Sequence, residues 1–315
     1  MSAMREAIEA QPDELARILA DPDPAREAAE RLRGREVILA GIGTSWHAAG
    51  HGAWLLREAG VAASGHHAAD LAPYGWRPRE GQAVVVLTHT AGTGYSKQVL
   101  ERAREAGAPT VQISGIGAGA ELETVAAERS YAYTSSHTAA LLRLAQLATA
   151  LGAELGSLDA IPAAVAAALE APAPVPDVPE RLIEIAGAGP NGWTAQEAAL
   201  KIREAAYVAA EGLTAEQFFH GPSVALDRRD TLVVLDGGGP MAERTDGIAS
   251  AVAAGGARVI RLPQRELGEP LSIFPLTVLV QRIAVEFSET LGTNPDRFRY
   301  DEDPAREDAF ESLGF

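Results

Sequence analysis

The feature that most constrains the fold is a short pattern that recurs along the chain. Each time, an apolar run leads into a turn rich in glycine or hydroxyl side chains, and a helix-like segment follows. These apolar runs begin at residues 36, 83, 109, 181, 231 and 257. Strands that alternate with helices in this way are typical of parallel sheets that are covered on both faces. The sequence therefore predicts an α/β protein.

The pattern occurs in two halves, which are separated by a proline-rich segment at residues 171–179. Alternate prolines cannot continue a helix and favour an extended chain, so we expect a linker here. Each half begins with an apolar run that enters a glycine turn, which predicts two tandem domains of one type, each with a parallel sheet between layers of helices. We expect an N-terminal helical segment at residues 1–24 and a first domain at residues 25–170. The linker at residues 171–179 then leads to a second domain at residues 180–292 and an irregular C-terminal tail at residues 293–315.

The composition excludes several kinds of chemistry. The 315 residues include no cysteine, which rules out disulfides, thiolate catalysis, zinc–thiolate sites and iron–sulfur clusters. A net charge of −16 disfavours nucleic acids and anionic membranes as partners. We expect no metal ion, no cofactor, no membrane-spanning segment and no signal peptide, and hence a cytoplasmic location. Among the 27 basic residues, only Lys97 and Lys201 are lysines.

Two turns in the first half carry groups that suit a phosphate. The first supplies Gly43, Thr44 and Ser45 at the start of a helix, and the second is the hydroxyl-rich stretch from Thr88 to Thr93. In open parallel sheets, ligands bind beyond the carboxyl ends of the strands, and a helix N-terminus favours an anion. The alternative is an ordinary strand-to-helix turn with a hydroxyl cap. Neither turn has the glycine pattern of a nucleotide-binding loop.

Acid and base groups occur close together in the second half. Glu197, Lys201 and Glu204 are spaced so that they share one face of a helix, and His220 follows Glu204 by 16 residues. A carboxylate and an imidazole together can move protons on carbon and on oxygen near neutral pH. The alternatives are a solvated ion-pair face and a histidine in a turn.

These motifs, taken in order, resemble the sugar isomerase (SIS) superfamily, and in particular the isomerase half of glucosamine-6-phosphate synthase. The similar stretches are residues 4–12, 41–48, 88–93, 197–207, 219–222 and 292–296. They extend over nearly the whole chain. The resemblance implies two tandem SIS-type domains and a site for a phosphorylated sugar.

The resemblance also implies roles for individual residues. Those expected to bind the sugar 6-phosphate are Gly43, Thr44, Ser45, Thr88, His89, Thr90, Thr93 and Ser135. Glu204 is expected to carry the proton between C1 and C2, with Glu197 and Lys201 as its support. His220 is expected to open the sugar ring, and in the family it comes from the neighbouring subunit. A homodimer is therefore expected.

Two departures from the family limit the functional prediction. Without cysteine the chain has no nucleophile for hydrolysing glutamine, so it is not expected to be a complete synthase. The family's C-terminal lysine, which forms a Schiff base with the sugar, has no counterpart after Lys201, and arginine cannot replace it. We therefore expect an enzyme that isomerises and deaminates an amino-sugar 6-phosphate, which brings its own nitrogen. The alternatives are a fructosamine-6-phosphate deglycase, a plain sugar-phosphate isomerase and a regulator that binds a sugar phosphate without turnover.

Overall fold

The computed structural model describes residues 1–175, 177–302 and 304–312. Its α-helices in these ranges are α1 (Ala3–Glu9), α2 (Gln11–Leu19), α3 (Asp23–Leu32), α4 (Thr44–Glu58), α5 (Ala68–Leu71), α6 (Gly94–Glu105), α7 (Ser135–Ala150), α8 (Ile161–Glu170), α9 (Asn191–Ala206), α10 (Ala215–Phe219), α11 (Ala242–Ala254), α12 (Glu269–Leu291) and α13 (Pro304–Glu311). The strands are β1 (Glu36–Gly41), β2 (Ala63–His67), β3 (Gln82–Leu87), β4 (Thr110–Ser114), β5 (Leu122–Glu123), β6 (Ile183–Gly187), β7 (Ala210–Thr214), β8 (Thr231–Asp236) and β9 (Arg258–Pro263).

The strands form two parallel sheets, one in each half of the chain. The first has the order β2-β1-β3-β4-β5 and the second has the order β7-β6-β8-β9. In the first sheet Leu39 of β1 lies beside Val85 of β3, and in the second Ile185 of β6 lies beside Val233 of β8. All pairings are parallel, so the carboxyl ends of the strands in each sheet meet at one edge. The predicted α/β class with helix-covered parallel sheets is confirmed.

One apolar core runs through both halves. It extends from Met4 in α1 to Phe287 in α12 and includes buried strand residues of both sheets, such as Leu39 and Ile185. Helix α12 packs closely on α9 and α8, so it joins helices from both halves of the chain in the core. Because the halves share this core, they are not separate packing units, and the expected domain boundaries remain a prediction.

Helix α12 differs from what the sequence analysis expected. Among the described residues it is the one helix long and apolar enough to cross a membrane, with a mean hydropathy of 1.4 over its most apolar window. However, 94% of that window is buried inside the protein. The apolar side chains of α12 are therefore buried in the core of the protein. The helix begins at Glu269 and contains Pro275.

The edges and the end of the chain also differ from the sequence analysis. The six predicted strands are present, but β2, β5 and β7 were not predicted, because their sequences are short or carry polar residues and lack an apolar run. The prediction of an irregular tail was wrong: a 3-10 turn at Arg299–Glu302 precedes α13. Helices α1 and α2 are separated at Ala10, and Pro12 follows in the first turn of α2, where proline is tolerated.

Candidate active site

A cavity of about 1090 Å³ lies at the carboxyl ends of β1 and β3. Its walls come from the β1–α4 turn, the β3–α6 loop, the first turns of α7, the end of α9 and the C-terminal tail. The predicted site residues that line it are Gly43, Thr44, Ser45, Thr88, His89, Thr90, Thr93 and Glu204. Residues far apart in sequence are thus brought together at the sheet edge where ligands of parallel sheets bind.

The β1–α4 turn places a helix N-terminus at the cavity. A side chain at Gly41 would lie 2.4 Å from the backbone oxygen of Ser45, so only glycine allows the strand to turn so tightly into α4. Gly43 has a φ of 55°, which also favours glycine. Thr44 and Ser45 are the first residues of α4, where backbone N–H groups are free of helical partners. The turn is therefore suited to an anion.

The β3–α6 loop supplies hydroxyls from a strained backbone. Thr88 and Thr93 lie with their Oγ1 atoms 3.5 Å apart, and Thr90 Oγ1 accepts the backbone N–H of Gly92 at 3.2 Å. Ala91 has a φ of 55°, a conformation that costs a non-glycine residue energy. Strain of this kind is typical of ligand-binding loops, where the surrounding structure holds the backbone in place.

His89 of the same loop is a neutral side chain. Its ring packs edge-to-face against Tyr133 with the centroids 5.2 Å apart, and neither ring nitrogen has a partner among the described residues. Burial lowers the pKa of His89, and the charge of Glu128 opposes this only in part. The imidazole can therefore donate or accept a hydrogen bond at neutral pH, but it is not a fixed positive charge.

Helix α9 carries a buried row of charges. Lys201 is only 1% exposed, and its Nζ lies 2.5 Å from Glu204 Oε2 and 3.7 Å from Glu197 Oε1. Burial raises the pKa of Glu204, and Lys201 offsets this only in part. Burial lowers the pKa of Lys201, but the two carboxylates outweigh it and raise that pKa. Glu204, which faces the cavity, is thus a more basic carboxylate than usual beside a permanent ammonium.

Glu197 joins α9 to α4. Its Oε2 lies 2.6 Å from His47 Nδ1, and its Oε1 accepts the hydroxyl of Thr44 at 3.1 Å. Burial opposes ionisation of Glu197, but Lys201 and the bond from His47 outweigh it, and its pKa falls to about 2. The carboxylate is therefore ionised and His47 donates to it. Glu197 and Lys201 themselves do not line the cavity; Glu197 contacts the β1–α4 turn through Thr44, and Lys201 contacts Glu204.

The first turn of α7 differs from the expected site. Ser135 does not line the cavity, and its hydroxyl is buried without a partner among the described residues. Helical geometry instead turns Ser136, His137 and Ala140 towards the cavity. Glu128 caps this helix by accepting the backbone N–H groups of Thr134, Ser135 and Ser136.

His137 was missed in the sequence because no motif marks it. The residue is 1% exposed, and both ring nitrogens lack a partner within the described chain. Burial lowers its pKa to about 4. His47 had a visible signal, since it lies three residues after Thr44, but its partner is 150 residues away in sequence. The C-terminal tail residues Arg297, Tyr300 and Asp301 also line the cavity and were not predicted.

His220 lies away from Glu204's cavity in the single chain. It follows α10, its side chain is 69% exposed, and its Nε2 is 3.2 Å from Glu216 Oε2. It is not among the residues that line the cavity. Its neighbours Phe219 and Val224 are exposed apolar side chains. One chain alone therefore does not bring the predicted acid–base pair together.

In the part of the chain that the structure describes, no group of three or more His, Asp or Glu side chains is arranged to hold a metal ion. The polar groups at the two turns and the first turn of α7 are hydroxyls, backbone amides and neutral imidazoles, and Glu204, Arg297, Asp301 and Glu307 add charged groups to the cavity wall. Such a set suits a phosphorylated polyol, because hydroxyls and amides bind both phosphate and sugar oxygens.

The chain is similar in sequence to known proteins that act on sugar phosphates by name. No protein-family model matches the chain. The glutamine–fructose-6-phosphate aminotransferase (isomerizing) of Streptococcus pneumoniae is 24% identical over 308 residues, covering 88% of this chain and 50% of that protein. The chain thus spans about half the length of the curated relatives it matches.

Solved structures show the same fold. The tagatose-6-phosphate ketose/aldose isomerase of Escherichia coli has a TM-score of 0.79 at 21% identity, covering 94% of this chain and 95% of that one. The glucosamine-6-phosphate deaminase of Thermotoga maritima also has a TM-score of 0.79, at 18% identity, covering 95% of this chain and 98% of that one. The resemblance to the sugar isomerase superfamily is therefore confirmed: the homologues are isomerase domains of that superfamily, and the chain has the fold of phosphosugar isomerases.

Proposed function

We propose that the chain is an enzyme that isomerises and deaminates an amino-sugar 6-phosphate, converting glucosamine 6-phosphate and water to fructose 6-phosphate and ammonia. The observation that carries this proposal is Glu204. Its carboxylate lines the same cavity as the hydroxyl-rich turns, burial raises its pKa, and Lys201 lies 2.5 Å from it. A carboxylate with a raised pKa is a better base for a proton on carbon.

The 6-phosphate would bind at the β1–α4 turn and the β3–α6 loop. Ser45, Thr88, Thr90 and Thr93 offer hydroxyls there, and the start of α4 offers backbone N–H groups. His89 would add a neutral hydrogen-bonding group. Such oriented donors can hold a phosphate without a lysine. The overall charge of −16 does not prevent this, because the donors act at short range.

The chemistry would be a proton transfer followed by hydrolysis. In the open-chain aldehyde form, Glu204 takes the proton from C2, and the electron pair forms the C1–C2 double bond. A proton from the substrate's own ammonium group passes to O1, which gives an enolamine with an enol at C1. The proton then returns to C1, which leaves an iminium at C2. Water adds to C2, the carbinolamine forms, and its C–N bond breaks to release ammonia and the ketone. Atoms and charge balance without any group from the protein being consumed.

Neither lysine suits a Schiff base with the substrate. Lys201 is buried between two carboxylates that raise its pKa, so its amine stays protonated. Lys97 is 64% exposed on α6, and neither lysine is among the residues found around the cavity. A substrate that already carries the nitrogen does not need to form a Schiff base with a lysine of the protein. This favours deamination of an amino sugar over a synthase-type reaction.

Ring opening would require a second subunit. His220 is exposed, next to the exposed apolar residues Phe219 and Val224, and lies outside the cavity of its own chain. A homodimer in which each subunit places His220 in the other's cavity would complete the acid–base pair. Imidazole is suited to moving a proton on the ring oxygen near neutral pH.

The test is ammonium release from glucosamine 6-phosphate by the wild type, Glu204→Gln and the matched control Glu101→Gln, whose carboxylate is 54% exposed on α6. We expect Glu204→Gln to lose activity by about 10²- to 10⁴-fold while it still binds the sugar phosphate. The control should resemble the wild type. Ammonium release that survives Glu204→Gln would refute the assignment.

Other outcomes distinguish the alternatives. Release of an amine from fructosamine 6-phosphates indicates a deglycase, and aldose–ketose conversion without ammonium indicates a plain isomerase. Tight binding of a hexose phosphate without any turnover indicates a regulator. Each of these results would replace deamination as the function.

A further inference from the structure

The proposed reaction has two halves with different requirements. In the first half, Glu204 moves a proton from C2 to C1. In the second half, water adds to an iminium at C2 and the C–N bond breaks, which requires a group that holds the water and takes its proton. A neutral group suits this role better than a cation, because the iminium is itself positive. A neutral imidazole is such a group, since one of its nitrogens accepts a hydrogen bond and the other donates one.

His137 is an imidazole of this kind at the wall of the cavity. Its side chain lines the same cavity as Glu204, although only 1% of it is exposed. Both ring nitrogens are buried without a hydrogen-bond partner among the described residues. Burying a polar atom without a partner costs free energy, so two such atoms in one ring are unusual for a side chain that only fills the core. Because the ring borders the cavity, the partner that fits it is a small molecule in the cavity.

The packing behind His137 fixes the position of its ring. His51 packs edge-to-face against it, with the ring centroids 5.8 Å apart. His51 is held in turn by the backbone oxygen of His47, 2.9 Å from its Nδ1, and by Thr194 Oγ1, 3.0 Å from its Nε2. A histidine with both nitrogens bonded thus supports one with both nitrogens available. A reactive group supported in this way keeps its orientation before the ligand arrives.

The surroundings of His137 keep its imidazole neutral. The titratable groups that act on it from the neighbouring elements are Glu197, His47, Lys201 and Glu128. The two carboxylates favour a charged imidazole, whereas Lys201 and His47 oppose it. Burial outweighs the carboxylates and lowers the pKa of His137 to about 4. At neutral pH one nitrogen is therefore free to accept a hydrogen bond, and a proton that the ring takes up is readily given away again.

The other groups at the cavity have different positions or partners. His89, the other imidazole in the cavity wall of the described chain, belongs to the β3–α6 loop, where the phosphate is proposed to bind. Glu204 comes from α9 and is paired with Lys201 at 2.5 Å, whereas His137 comes from α7. Two helices thus provide one group for each half of the reaction.

We propose that His137 is a catalytic residue of the hydrolytic half, which holds the water that attacks C2 and carries its proton to the leaving nitrogen. This inference rests on the proposed function. The water oxygen bonds to C2 as the C=N electron pair moves to nitrogen, and a water proton passes to His137. The imidazolium gives that proton to the amine, and the C–N bond breaks with its electron pair on nitrogen. The hydroxyl proton passes to the released ammonia, so iminium and water become ketone and ammonium while His137 returns to its neutral form.

The experiment separates the two halves with two measurements on glucosamine 6-phosphate in deuterated water. Ammonium release requires both halves, whereas deuterium uptake at C2 of the recovered substrate requires only the proton transfer. We expect His137→Phe to lower ammonium release by about 10²- to 10⁴-fold and deuterium uptake by no more than about 3-fold. His137→Gln keeps a hydrogen-bond acceptor, so it should recover at least about 10-fold of the lost ammonium release. Glu204→Gln should lose both activities.

The matched control is His66→Phe. His66 lies in β2, its Nε2 is 2.8 Å from Ser64 Oγ, and it does not line the cavity, so both activities should equal those of the wild type.

The ratio of the two activities decides the role of His137. Equal loss of both in His137→Phe would mean that the ring only supports the site, and ammonium release within about 3-fold of the wild type would mean that the ring is not used; either result overturns the proposal. If His137→Phe does not fold, His137→Gln is judged by the same ratio, and its ammonium release must fall more than its deuterium uptake. If the wild type shows neither activity, the proposed function fails together with this inference. If the wild type releases ammonium and the His137 variants leave the ratio unchanged, only the role of His137 fails.

Discussion

Removing the ammonium of Lys201 should destabilise the protein strongly. The side chain is buried, and its Nζ is the cation that lies between Glu204 Oε2 at 2.5 Å and Glu197 Oε1 at 3.7 Å. Methionine has a similar length and is apolar, so Lys201→Met keeps the packing and removes the charge. The fully buried carboxylate of Glu197 and the partly exposed carboxylate of Glu204 then remain on the same helix without the ammonium between them.

The magnitude follows from the burial of the cluster. Removing one partner of a buried ion pair costs about 3 to 5 kcal/mol, because the other charge remains desolvated. A chain of 315 residues has an unfolding entropy of roughly 660 cal/mol/K, so 1 kcal/mol corresponds to about 1.5 °C in Tm. We therefore expect Lys201→Met to lower Tm by about 5 to 8 °C at pH 8.

The pH dependence provides a second check. Without Lys201 the pKa of Glu204, already raised by burial, should rise further. A carboxyl group with a raised pKa in the folded state holds its proton more tightly there than in the unfolded state. It therefore stabilises the folded state at low pH, and this stabilisation is lost as the pH rises through the pKa of the folded state. The loss in Tm should therefore be smaller at pH 5 than at pH 8. Differential scanning calorimetry at both pH values measures it.

The chain contains its own control. Lys97 is the only other lysine, it is 64% exposed, and its Nζ is 4.0 Å from Glu101. Lys97→Met should change the free energy of unfolding by less than about 0.5 kcal/mol. If Lys201→Met and Lys97→Met have the same Tm, the argument that the α9 charges form a buried and mutually dependent cluster is refuted.

Two further predictions concern stability. Glu184 is buried, and this burial, together with the neighbouring charge of Glu211, raises its pKa to about 8. The substitution Glu184→Gln should therefore stabilise the protein by about 2 to 4 kcal/mol at pH 8 and have little effect at pH 4. Urea unfolding at both pH values checks this, and an equal effect at both would contradict it. Gly50→Ala should lower stability by about 1 to 3 kcal/mol, since its Cβ would lie 2.2 Å from the ring of Trp193. Gly247→Ala, in a helix with no atom near that position, should instead be neutral or stabilising by up to about 1 kcal/mol.

The sequence predicted the central strands and the edge strand β9, but not the edge strands β2, β5 and β7. Strand β3 is buried at every position, so it is a continuous apolar run that can be read directly. Strands β2 and β7 lie at sheet edges, and their residues are largely half-exposed and polar. An edge strand needs hydrogen bonds from only one neighbour and an apolar face on only one side. Its sequence therefore carries too weak a pattern to be found without the partner strand.

The site was predictable where its residues are local and not where they meet through packing. Thr44, Ser45 and the threonines after β3 follow directly from strand ends. The His47–Glu197 bond joins helices 150 positions apart, and nothing in either helix alone requires it. His137 faces the cavity only because of the rotation of α7 in the core. Such contacts depend on how whole helices cross, which local sequence patterns do not determine.

The arrangement of charge in the cavity leads to a prediction about pH. Glu197, Lys201 and Glu204 together carry one net negative charge, and the proposed phosphate donors at the two turns are neutral. These donors would therefore not neutralise a bound phosphate dianion, and its field would raise the pKa of Glu204 further unless Arg297, which also lines the cavity, offsets it. At separations near 10 Å and an effective dielectric of several tens, the pKa of Glu204 rises by about half a unit to one unit.

The kinetic consequence is a difference between two pH profiles. The acid limb of kcat, which reports the enzyme–substrate complex, should lie at higher pH than the acid limb of kcat/KM, which reports the free enzyme. Activity should fall with acidity in both, because Glu204 acts as the base in its ionised form. Coincident limbs would show that the phosphate does not bind within electrostatic reach of Glu204, and a kcat limb at lower pH would show that cations from the protein or solvent neutralise it.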